Sequence, residues 1–181
     1  MSDNEIHNIA EDFRDTVEEA RDTGKLAGFT GLAFERYPVG CCGATCDILA
    51  EHLLNHYNLE TIYVWGWMDD QSHAWLVVKD ERVSMPRKRN IEYSDKIESL
   101  LNTYGANRLD HEYEARHYEP EDLEHGLIID ITGDWVGGKR VYVDYICDFY
   151  RSIRFRDAHD ELPGDLSYEK SQILRVIEEY L

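Results

Sequence analysis

The sequence predicts an α+β fold in which N-terminal helices pack on an antiparallel β-sheet. Three observations predict it. Apolar residues recur at helical spacing towards both ends of the chain. The middle carries β-branched and aromatic runs bounded by turn residues. These runs follow one another with little helix between them, unlike the strict alternation of a parallel sheet.

The chain has 181 residues, about one domain's worth, so residues 1–181 are read as a single domain. A chain of this length buries about 70% of its unfolded surface and needs no disulfide or metal staple. Its 43% hydrophobic and 12% aromatic content excludes wholesale disorder.

Residues 5–22 read as a helix, because Ile6, Ala10, Phe13, Val17 and Ala20 fall on one stripe. Thr23-Gly24 is its stop. Residues 25–40 form a glycine-punctuated loop ending in Tyr37-Pro38-Val39-Gly40. A second helix starts near Cys41 or Cys42 and runs to about Tyr57, with Leu49, Ala50, Leu53, Leu54 and Tyr57 among its apolar positions. Thr61–Trp67 and His73–Lys79 read as strands joined by the turn Asp69-Asp70-Gln71.

Residues 86–125 change character. A helix is expected near Ser94–Tyr104, followed by a run dense in charge, His and Tyr, and the segment reads as an insertion or lid. Gly126–Thr132 is a third strand. Arg140–Tyr145 alternates as a fourth, with Val141, Val143 and Tyr145 on one face. Asp148–Phe155 fits either a fifth strand or a short helix. A C-terminal helix follows Gly164-Asp165, with Asp165 as expected N-cap, and carries Ile173, Leu174, Val176, Ile177 and Leu181.

Nineteen basic against 37 acidic residues give a net charge of −18. Nucleic acid and anionic membrane both attract positive patches, so neither is expected as a partner. The longest strongly apolar stretch, Ile62 to Met68, is far shorter than the roughly 20 residues that span a bilayer. The first residues show no basic region followed by an apolar one, so a cytoplasmic location is expected. Cys41, Cys42 and Cys46 crowd together and Cys147 stands apart. A secreted disulfide framework would spread them, so reduced thiols are expected.

Three strings carry residues suited to chemistry. Gly40-Cys41-Cys42-Gly43-Ala44-Thr45 sets a thiol at a helix start, His73-Ala74-Trp75-Leu76 an imidazole at a strand start, and Ile129-Asp130-Ile131-Thr132 a carboxylate in an apolar strand. A thiol becomes a nucleophile when a helix N-terminus and a neighbouring imidazole favour its thiolate. The imidazole carries the proton to the leaving group. A carboxylate on its other nitrogen fixes the tautomer. Backbone amides at the helix start can receive the oxyanion.

The cysteine in a small-residue turn opening a helix, the strand beginning His-Ala-Trp and the strand with Asp-x-Thr resemble the transglutaminase-like cysteine peptidases of the papain-like superfamily. The resemblance covers roughly residues 36–79 and 126–136. It implies Cys42 as nucleophile, His73 as base and Asp130 as orienting acid. It implies a Cys-bearing helix packed on an antiparallel sheet that holds the His and the Asp. The gap between His73 and Asp130 is far longer than a two-strand hairpin requires, so a helical insertion is expected between those two strands. The implied chemistry is attack on an amide or isopeptide carbonyl through a thioester. Water as acceptor gives hydrolysis or deamidation, and an amine gives transfer. The partner is then a protein, peptide or other amide-containing substrate, and no cofactor is expected. No Gln precedes Gln71 to serve the oxyanion. Tyr37 or a backbone N–H must substitute, while Trp75 is placed to wall the site.

Taken singly, these residues have ordinary roles: a buried cysteine, a strand-edge histidine, a turn-capping aspartate. A catalytically inactive papain-like module, binding a basic partner through its acidic surface, is therefore the alternative. A zinc protein is the third reading. His52 and His56 share a helix face at i, i+4, as do Cys42 and Cys46, although Leu53 replaces the Glu of the His-Glu-x-x-His string. His111, His117 and His125 lie among acidic residues and read mainly as a solvated face. Arg87-Lys88-Arg89 is expected to pair with neighbouring carboxylates.

Overall fold

The computed structural model describes residues 1–29, 33–83, 87–88, 116–160 and 166–181. It is α+β. Helix α1 spans Asp3–Asp22 and α2 spans Cys42–Tyr57, with a 3-10 turn at Phe34–Arg36 between them. Strands β1 (Thr61–Met68) and β2 (Gln71–Val78) follow. Two-residue strands β3 (Arg87–Lys88) and β4 (Arg116–His117) come next, then a short helix α3 (Pro120–Leu123). The chain continues through β5 (Leu127–Asp130), a 3-10 turn at Gly133–Val136, β6 (Tyr142–Tyr145), α4 (Asp148–Ser152), β7 (Arg154–Asp160) and α5 (Tyr168–Glu178).

Helix α1 starts in a capping box. Ser2 Oγ accepts from the Glu5 amide, and the Glu5 side chain accepts from the Ser2 amide. Its expected stripe is buried: Ile6, Ala10, Phe13, Val17 and Ala20 are all 2% exposed or less. Helix α2 ends at Asn58 in the left-handed conformation, φ 52°.

The seven strands form one sheet in the order β3-β4-β7-β1-β2-β5-β6, and every pairing is antiparallel. Five of the strands are four residues or longer, and β3 and β4 extend one edge as stubs. The β1–β2 hairpin runs from Thr61 opposite Val78 to Met68 opposite Gln71, with Asp69 in the turn at φ 53°. Gly66 interrupts β1 for a steric reason. A Cβ there would come within 2.7 Å of Arg154 O and Ile153 Cγ2, and the β1–β7 register shifts at this point.

Alternation along β2 divides the core. Ala74, Leu76 and Val78 join Leu127 and Ile129 against α1, α2 and α5. Trp75 and Val77 turn to the other face with Ile128, Tyr118, Leu123, Tyr142 and Tyr150. Strands β2 and β5 are neighbours, with Leu76 opposite Ile129 and Val77 opposite Ile128. The long excursion between them returns to its starting place in the sheet, having supplied β3 and β4 at the far edge.

Three expectations are corrected or fall outside view. Of the two alternatives for Asp148–Phe155 the short helix forms, over Asp148–Ser152, but it ends before Phe155, which belongs to the start of β7, a strand paired directly with β1. The C-terminal helix is capped by Ser167, whose hydroxyl accepts from the Lys170 amide, rather than by Asp165. The helix expected near Ser94–Tyr104, most of the 86–125 insertion and Asp165 lie outside the described residues. Among the described residues, no helix is long and apolar enough to cross a membrane.

Candidate active site

Cys42 is the first residue of α2, directly after its N-cap Cys41. Gly40, at φ 76°, turns the chain into the helix in a conformation that costs glycine little. The Cys42 side chain is buried against the sheet, and its Sγ lies 3.9 Å from the carbonyl oxygen of Ser72, the residue preceding His73.

His73 sits in β2 opposite Gly66 and is wholly buried. Its Nε2 makes a 2.7 Å hydrogen bond with Asp130 Oδ2. Its Nδ1 is buried without a hydrogen bond. Burial on its own disfavours the charged ring, but the Asp130 hydrogen bond, and after it the Cys42 thiol, outweigh burial and raise the His73 pKa to about 9. The thiol approaches the ring beside its backbone, with Cys42 Sγ 3.9 Å from the carbonyl oxygen of Ser72. With Nε2 committed to Asp130, Nδ1 is the nitrogen left to meet it.

Asp130 closes β5 and accepts four hydrogen bonds. Oδ1 takes the Thr132 amide at 2.8 Å and the Thr132 hydroxyl at 3.2 Å. Oδ2 takes His73 and the Tyr150 hydroxyl, the latter at 2.9 Å. The Thr of the Asp-x-Thr string therefore holds the carboxylate from its own turn. An ionised carboxylate has about four lone-pair positions, and here all are used. The cost of burying it is offset by these donors.

A second layer braces the turn after Asp130. Arg14 is 1% exposed. It grips Asp134 through both terminal nitrogens at 3.0 and 2.9 Å, donates to Glu18, and donates to Ile131 O. Its guanidinium lies 4.7 Å from the centre of the Tyr37 ring. Burial opposes its charge, and Tyr37, Asp134 and Glu18 together push its pKa upward. Tyr37 in turn donates to Ile131 O at 2.9 Å.

The structure thus brings Cys42, His73 and Asp130 to one place. It does not bring the Tyr37 hydroxyl there, since that group is buried and spent on Ile131 O. Trp75 lies behind the imidazole. Its ring stacks on His73 at 6.0 Å and meets Tyr150 at 5.4 Å. Cys41 competes poorly as a nucleophile, because burial pushes its thiol up to about 12. Its Sγ donates to Pro38 O and accepts from the Thr45 hydroxyl. Cys46 is packed in the helix–sheet core. Of the histidines in the insertion, His111 is outside the described residues, and His125 is exposed.

Sequence reasoning missed Tyr150, Arg14 and Gly133. A Cβ at Gly133 would stand 2.8 Å from Asp130 Oδ2 and 2.9 Å from Lys139 O. A glycine one residue after Asp-x-Thr was the only local signal of that close approach. His52 and His56 lie at the other end of α2 from Cys42, and the third donor beside them is Glu178 of α5.

No family model, curated protein or solved structure matches the chain.

Proposed function

We propose that the chain is a thiol-dependent hydrolase or acyltransferase acting on an amide or isopeptide bond, with a papain-like or transglutaminase-like core. One observation carries the reading. His73, wholly buried, is held by Asp130 through one ring nitrogen and keeps the other unbonded, beside a helix-terminal thiol.

In this reading His73 holds the proton given up by Cys42 and the sulfur attacks the carbonyl carbon. The developing oxyanion meets the first-turn amides of α2, which have no acceptor within the helix. Collapse breaks the C–N bond, and His73 gives its proton to the departing amine. A thioester remains on Cys42. Water or a second amine, deprotonated by His73, then attacks the thioester and regenerates the thiol. Asp130 holds the ring in one orientation throughout and stabilises its cation.

The test is labelling with iodoacetamide at mildly acidic pH, followed by mass-spectrometric mapping. Rapid modification should fall on Cys42, vanish in Cys42→Ala, and slow by several orders of magnitude in His73→Ala. Equally rapid labelling that remains in Cys42→Ala would sink the proposal and favour an inactive binding module of the same architecture.

A further inference from the structure

The end of α2 remote from Cys42 meets the last residue of α5. His52 and His56 stand four positions apart, so both rings project from one face of α2. Glu178 reaches both. Its Oε1 lies 3.3 Å from His52 Nδ1 and 2.9 Å from His56 Nε2. The three donor atoms all lie within 4.8 Å of one another. Tetrahedral zinc with bonds of about 2.0–2.1 Å keeps its ligand atoms about 3.3 Å apart. Two edges of such a polyhedron therefore already have nearly the right length.

We propose that His52, His56 and Glu178 form a binding site for a divalent transition-metal ion of the zinc type, which clamps α5 onto α2. Two imidazoles and one carboxylate suit zinc. Calcium and magnesium prefer all-oxygen shells. Three protein ligands leave a fourth tetrahedral position for water.

The surroundings suit the role. The His52 side chain is 6% exposed, and its ring centre is 5.1 Å from that of Phe13, which fixes its orientation. The His56 and Glu178 side chains are 51% and 33% exposed, giving an ion access from solvent. Glu178 also lines a cavity of about 260 Å³ with Glu51, Leu174 and Arg175. Without metal the same oxygen accepts hydrogen bonds from the two rings. With metal, both rings turn a lone pair to the ion and carry their protons on the outer nitrogens.

The test uses the full chain as its Cys42→Ala, Cys147→Ala double variant, which removes the candidate nucleophile and the one cysteine that is not buried, after stripping with a chelator. Zinc titrated by calorimetry should bind at one ion per chain and raise Tm. Cobalt(II) should give the absorption of a tetrahedral nitrogen–oxygen site without a thiolate charge-transfer band. His56→Gln and Glu178→Gln alter side chains that reach solvent, and circular dichroism verifies their folding. Each should weaken zinc binding at least about tenfold. Absence of saturable binding, a cobalt–thiolate band, or undiminished affinity in both variants would overturn the assignment.

Discussion

Tyr150 donates its hydroxyl proton to Asp130 Oδ2 at 2.9 Å, the same oxygen that holds His73 Nε2. Tyr150 comes from α4, and its ring also packs edge-on against Phe149 and beside Trp75. The carboxylate is therefore fixed from two elements other than its own, which sets where the imidazole can sit. The burial of Tyr150 and the negative charge of Asp130 drive its own pKa far upward, so it remains a donor.

Replacing this phenol with Phe keeps the ring and removes one donor from a buried carboxylate. Tyr150→Phe should lose about 1.5–3 kcal/mol of unfolding free energy, the usual worth of a hydrogen bond to a charged group. Urea denaturation reads it directly. Stability equal to that of the parent would mean that the bond contributes nothing.

The His73 pKa, raised from 6.5 to about 9, makes stability depend on pH. A raised folded-state pKa means that the bound proton favours the native state. That contribution is complete below the unfolded value of 6.5 and disappears as pH climbs through about 9. The stability gap between the parent and His73→Gln should accordingly narrow from about pH 7 to about pH 10. A gap that stays constant over this range would contradict an imidazolium held by Asp130 and Cys42.

Gly133 tests the packing around the carboxylate. In Gly133→Ala the new methyl meets Asp130 Oδ2 at 2.8 Å and Lys139 O at 2.9 Å, and neither can retreat far. The variant should lose about 1–3 kcal/mol by overpacking. Its Cys42 alkylation should also slow, because displacing Asp130 displaces His73. Parent-like stability together with parent-like labelling would refute this role for the glycine.

Much of the architecture was readable locally. The α1 stripe, the opening of α2 at Cys42 and the β1–β2 hairpin each declare themselves within a short window, through helical spacing, small turn residues or β-branched runs. Strand β7 did not. Its segment Arg154–Asp160 carries charge at most positions, and only Ala158 is fully buried. Its strand state comes from pairing with β1, which no period in its own sequence encodes.

The candidate site divides in the same way. Cys42, His73 and Asp130 stood out because each lies in a short string whose residue types suit one chemistry. The amino-acid order fixes those types, and it fixes the Thr132 bonds to Asp130 within one turn. Their meeting depends on β5 pairing with β2 after the intervening chain has travelled to the opposite edge of the sheet. Tyr150 and Glu178 acquire their partners in the same non-local way, as Arg14 acquires Asp134 and Ile131. A phenol, a guanidinium or a lone carboxylate has no local signature, because its partner is set by which elements pack together and not by its neighbours along the chain.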